Sequence, residues 1–168
     1  MPHPVSTLGA FHTAISAATF AAGLYCFARY SKIDAATRSG HVYLAGLLVS
    51  VATSFGLSST GGFNLGHALG IVALLATLGA LCVNRIAFLG GARPYLQQLG
   101  LSFSFFLLLV PGINETLTRL PVAHPLATGP DSPLVRGALG VWLGLFVLGS
   151  ILQFFLLRSE RQRARLIS

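Results

Sequence analysis

Five long apolar runs separated by short polar breaks set the pattern of this chain, at about residues 8–28, 42–57, 65–89, 99–117 and 134–157. Each lies near the roughly 20 residues that carry a helix across about 30 Å of hydrocarbon. Strands of a membrane barrel would be about half as long and would alternate apolar with polar. Backbone groups in lipid must be bonded from within, so the pattern predicts five transmembrane helices in one domain, an all-α polytopic membrane bundle. The second run is the shortest, and its Ser50, Thr53, Ser54 and Ser58 predict a helix packed inside protein.

Small residues recur at helical spacing within the runs. The third carries Gly66, Gly70, Ala73, Thr77, Ala80 and Asn84, the first Ala10, Ala14, Ala18 and Ala22, and the fifth Gly137, Gly140 and Gly144. Such faces let helix backbones approach where no hydrophobic drive exists between helices. Packing within the bundle is their expected use. Gly140/Gly144, or one of the Ala-rich faces, is where another membrane subunit would dock. Pro111-Gly112 in the fourth run predicts a kink that turns the residues after it toward the interior.

Composition agrees: 54% of the 168 residues are hydrophobic and 9% charged, against roughly 25% charged in soluble domains. Mean hydropathy is +0.75. The net charge of +7 gathers in loops rather than on a soluble face, which argues against nucleic acid as a partner. Arg29, Lys32, Arg38, Arg85, Arg93, Arg158, Arg161, Arg163 and Arg165 fall on one side of a five-span topology, and Arg119 and Arg136 on the other. The positive-inside rule then places the N-terminus outside and the C-terminus in the cytoplasm of a bacterial inner membrane. The basic tail is expected to meet anionic lipid. Met1-Pro-His-Pro lacks a basic n-region, so no cleavable signal peptide is expected. Cys26 and Cys82 lie near cytoplasmic ends, and the expectation is buried free thiols.

The same topology brings His3, His12, His67, Glu115 and His124 to the outer face, while His41 sits at the cytoplasmic interface beside Tyr43. The stretch V-P-G-I-N-E-T-L-T-R-L-P-V-A-H from Val110 to His124 follows a greasy run, and an ionisable group there marks a site or a partner. In one reading His12, His67 and Glu115, with His124 or His3 as a fourth ligand, hold a metal ion or haem, since imidazole and carboxylate suit zinc, copper and iron. Asn114 and Arg119 would complete a site for such a cofactor or a quinone-like ligand, in a binding or redox-accessory protein. The proline-rich segment L-P-V-A-H-P-L-A-T-G-P-D-S-P would close over it as a lid, with His124 against the outer ends of the first and third spans.

In the rival reading Glu115 pairs with Arg119 one helical turn on, and Asn114, Thr116 and Thr118 bond neighbouring helices. The histidines are then buried helix-end hydrogen bonders in a non-catalytic structural subunit. A third possibility gives Glu115 a proton-transfer role through desolvation. No nucleophile motif accompanies these groups, so no catalytic residue is assigned and an enzyme is disfavoured.

The segments T-R-S-G-H-V-Y-L-A-G-L-L-V-S and T-G-G-F-N-L-G-H-A-L resemble a bacterial membrane-protein family, domain of unknown function 2306. The matching residues are His12, Arg38, Gly40, Tyr43, Gly61, Gly62, Phe63 and His67, over about residues 8–120. The histidine that usually precedes that arginine is absent, with Ala36 and Thr37 in its place. The resemblance implies a small inner-membrane bundle and no particular activity.

Overall fold

Capping residues set the helix boundaries. Ser6 accepts the Gly9 N–H at 3.0 Å and opens α1, Thr7–Tyr30. Ser31 ends it in the left-handed conformation (φ 57°), returning its N–H to the Phe27 carbonyl. The Thr37 hydroxyl accepts from Gly40 N–H to start α2, Arg38–Ser54, and Asn64 caps α3, Leu65–Cys82. Two short 3-10 helices, Val83–Arg85 and Ala87–Ala92, lead into α4, Arg93–Arg119, and α5 is Pro133–Ile167. This computed structural model describes residues 6–57 and 62–167; His3, Ser58 and Gly61 lie outside them.

The described secondary structure is all helical. Four helical segments are long and apolar enough to cross a membrane: Thr7–Tyr30, Leu65–Arg85, Ala87–Arg119 and Pro133–Ala164. The second expected span is the exception, because α2 has only 17 residues, about 26 Å at 1.5 Å per residue. Other boundaries moved as well. α3 stops at Cys82 rather than near residue 89, because Arg93 gathers the carbonyls that follow: Nε donates to Ile86 O at 3.0 Å and Nη2 to Ala87 O at 2.8 Å. α4 therefore starts at Arg93, and it runs on through Pro111.

The helices meet on Phe105. Its ring stacks on Phe20 at 5.3 Å, meets Phe27 at 5.1 Å and Tyr43 at 6.2 Å, and lies 5.9 Å from Trp142. Gly23 makes room for it, since a Cβ there would lie 2.4 Å from the ring. Tyr43 is fully buried and donates to Ser104 Oγ at 2.8 Å, because the Ser104 proton goes to Leu101 O. His41, the expected interfacial neighbour of Tyr43, is exposed.

Not every small-residue face packs. On α3, Ala73, Thr77 and Ala80 are buried, and Gly70 lies against Val51. On α1 the expected face packs only at its end: Ala10, Ala14 and Ala18 are exposed, Ala22 lies partly buried against the core, and Thr19, Gly23 and Cys26 are buried. Nothing comes within 4 Å of a Cβ at Gly137, Gly140 or Gly144. Of the two thiols Cys26 is buried, but Cys82 is exposed.

The ends of the bundle differ in chemistry. The α1–α2 turn, the 83–92 connection and the end of α5 come together at a basic end. There Gln98 donates to Ser102 at 3.2 Å, Ser102 to Gln153 Oε1 at 2.8 Å, and Gln153 Nε2 to Ser31 O at 2.9 Å. Arg161 donates to Gly91 O and lies 5.7 Å from the centre of the Tyr95 ring. Overpacking a filled core costs about 1–3 kcal/mol. Gly23→Leu should therefore lower the thermal unfolding temperature in detergent, whereas Gly140→Leu should leave it unchanged. Equal behaviour of the two variants would mean that Phe105 is not tightly enclosed.

Candidate functional site at the polar end

The end opposite the basic loops is organised by the last turn of α2. The final carbonyls of a helix have no intrahelical partner, and in an apolar setting they need one from elsewhere in the protein. Hydroxyls supply part of it. Thr53 donates to Val49 O at 2.8 Å and Ser50 O at 3.0 Å, and Ser54 donates to Val51 O at 2.7 Å. Gly56 N–H reaches Thr53 O, and Leu57 N–H reaches Ser54 O.

His67 completes the closure from α3. Its Nε2 lies 2.9 Å from Ser54 O, so that nitrogen carries the proton. Nδ1 is then a bare acceptor and takes the Asn64 N–H at 3.2 Å, while Asn64 Oδ1 takes the His67 N–H at 3.1 Å. This is a capping box with histidine where glutamate or glutamine usually stands. The ring is 4% exposed, stacks on Phe55 at 4.7 Å and meets Phe63 at 5.7 Å. Both of its nitrogens are spent.

His12 binds the preceding residue from α1. Its Nδ1 lies 2.9 Å from Thr53 Oγ1, whose own proton points to the helix carbonyls, so Nδ1 donates. Nε2 then faces Ser16 Oγ at 3.5 Å, and Ser16 lies 2.5 Å from Ser50 Oγ. The two histidines therefore grip consecutive residues of α2, Thr53 and Ser54, from either side.

The remaining expected site residues are arranged differently. Glu115 pairs with Arg119 at 2.5 Å, with side chains 51% and 70% exposed, and its carboxylate is within electrostatic reach of His12. Exposed pairs of this kind contribute at most about 1 kcal/mol. Asn114 Oδ1 is buried and has no hydrogen-bond partner among the described residues, while its carbonyl accepts from Thr118. His124 is exposed on the loop after α4.

That loop leaves His124 exposed. It folds back on α4, with Ala127 N–H on Leu117 O at 2.9 Å and Leu126 N–H on Leu120 O at 3.2 Å, closing the end of that helix. Among the described residues no three His, Cys, Asp or Glu side chains are grouped so as to hold a metal ion. The expected set of His12, His67, Glu115 and His124 is therefore not assembled. His67 has no nitrogen left to give, and His124 stands out on its loop.

Some of the participants escaped the sequence reading. Ser16 is a lone serine in an apolar run, with no local signal of its pairing. Gln153, a buried amide inside the fifth run, was a visible signal of an interhelical bond. Comparison of the chain with family models, curated proteins and solved structures finds no match.

The geometry yields a graded test of His67. Ser54 O keeps the Leu57 N–H when the imidazole is removed, so the half-buried bond that is lost contributes about 0.5–1.5 kcal/mol. His67→Ala should lose about that much stability in thermal or denaturant unfolding. His67→Gln, which can accept at one end and donate at the other, should recover part of the loss. A metal ligand would show no such recovery, so equal losses would count against the capping role.

Proposed function

We propose that this chain is a non-catalytic structural or accessory subunit of a larger membrane complex, held in a bacterial inner membrane by five helices with α2 as the short one. One observation carries the reading: both histidines on the helices flanking α2 spend ring nitrogens on closing its last turn. Histidine so used is a structural group. The outward faces of α1 and α5 support the partner. Ala10, Ala14 and Ala18 are exposed, and Gly137, Gly140 and Gly144 leave a smooth strip on α5, the least buried of the four long apolar segments. Strips of this type let a second helix approach closely.

The basic loops favour an orientation with the C-terminus in the cytoplasm and the N-terminus outside. Arg29, Lys32, Arg38, Arg85, Arg93, Arg158, Arg161 and Arg163 belong to the three segments that meet at one end of the bundle. The positive-inside rule assigns that end to the cytoplasm.

A second reading keeps a ligand at the outer end, and it rests on Asn114. A buried amide oxygen without a donor, one residue from Glu115, leaves an acceptor for a small polar group. A metal, haem or quinone-like ligand would have to be held by His12 Nε2, Asn114 and Glu115, since His67 is occupied.

Two measurements separate these readings. The protein purified in detergent should be colourless and free of stoichiometric metal, and it should copurify with larger membrane partners, an association weakened by Gly140→Leu. A Soret band, or bound metal lost in His12→Ala, would instead establish the ligand site. For orientation, a reporter fused after Ser168 should be active only in its cytoplasmic form.

A further inference from the structure

The outer surface of α3 and α4 carries an apolar crevice of about 520 Å³ near the basic end. α3 contributes Ala76, Gly79 and Ala80, and α4 contributes Leu99, Gly100 and Phe103. Its floor is closed, since a Cβ at Gly100 would lie 2.8 Å from the Ala80 Cβ. Its width comes from Gly79, where a Cβ would meet nothing within 4 Å. The volume falls within the roughly 300–1,000 Å³ of small-molecule sites. A helix about 10 Å across would lie over such a crevice rather than inside it.

Val83 marks the basic end of the crevice, and two residues on stands Arg85. Arg85 is exposed and makes no hydrogen bond or ion pair with the described residues. Its neighbours are committed: Arg93 holds Ile86 O and Ala87 O, and Arg161 holds Gly91 O. An apolar slot with an exposed, uncommitted arginine two residues beyond its basic end matches an amphiphile with an anionic head. We propose that the crevice holds one acyl chain of an anionic phospholipid whose phosphate is bound by Arg85. The slot supplies apolar contact along the chain, and the guanidinium supplies a planar fork for phosphate oxygens. Basic residues at the cytoplasmic side of helix crevices suit such headgroups.

The proposal rests on the chain spanning a membrane, and its test does not depend on the subunit role or on which end is cytoplasmic. Purified protein is mixed with phosphatidylglycerol or phosphatidylcholine in detergent, and retained lipid is counted by native mass spectrometry. The wild type should keep one phosphatidylglycerol and release phosphatidylcholine at least tenfold more readily. Gly79→Leu fills the slot in open space and should abolish retention. Arg85→Gln should reduce it about tenfold and remove the headgroup preference, while Gly149→Leu, on an open stretch of α5, should change nothing. Equal retention by the wild type, Gly79→Leu and Arg85→Gln would overturn the proposal. So would equal retention of the two lipids, or a wild-type dimer that Gly79→Leu dissolves, which would make a second copy the occupant.

Discussion

A short helix whose ends must be satisfied by the rest of the protein is the constraint on which this structure turns. α2 is flanked by the longer α1 and α3, and side chains from within and beyond it meet the polar groups at its ends. At its start the Thr37 side chain takes the Gly40 N–H, and Gly40 lies so close to Asp34 that a Cβ would collide with that backbone carbonyl. At its finish Ser54 O is met by His67, while Thr53 Oγ1 is met by His12. A Cβ at Gly56 would run into Leu8, so α1 presses on the same turn. Neighbouring α1 and α3 are positioned by what α2 lacks.

The rest follows as successive layers. Phe105 of α4 fills the gap that Gly23 leaves and joins the aromatic groups of α1, α2 and α5. Buried polar links then fix register, which uniform apolar packing would leave loose: Tyr43 to Ser104, and Ser102 to Gln153 to Ser31. α5 is held mainly along one side, where Trp142 donates to Phe106 O at 3.0 Å. Its remaining surface is free for lipid or for another helix. The helix that packs least against its own chain is thereby the one best placed to bind something else.

The helical class was legible in the sequence because apolar runs of this length leave few alternatives. The pairing at Glu115 was legible too, since Arg119 follows at helical spacing. The common end for His12 and His67 came from topology alone, and the structure brings both rings to adjacent residues of α2. Their role was not legible: whether an imidazole nitrogen faces a carbonyl or stands free depends on contacts 13 and 41 residues away. The α1 face was misread for a related reason. Ala10, Ala14 and Ala18 have the spacing of a packing stripe, but the buried residues are Thr19, Gly23 and Cys26, with Gly23 against Phe105 and Tyr43 and Thr19 against Gly46 of α2. Small residues mark where helices are able to approach, and large partners decide where they do. The 83–92 connection was hidden because it is shaped by Arg93, the residue that follows it, folding back onto its carbonyls.

Polar residues in an apolar run carry different meanings according to whether their hydrogen-bonding groups are spent. His67, Thr53, Ser54 and Ser104 are spent on backbone, and each is explained by the helix it closes or braces. Glu115 is spent on Arg119 at an exposed position. Among the described residues the buried side-chain atoms left over are Asn114 Oδ1 and Ser150 Oγ. A serine hydroxyl can turn toward a carbonyl of its own helix, whereas an amide oxygen needs a donor from elsewhere. The cost of leaving it bare, about 1–3 kcal/mol, is what a visiting donor would recover. If the polar end binds anything, the unsatisfied oxygen of Asn114 is therefore a better guide to the place than either histidine.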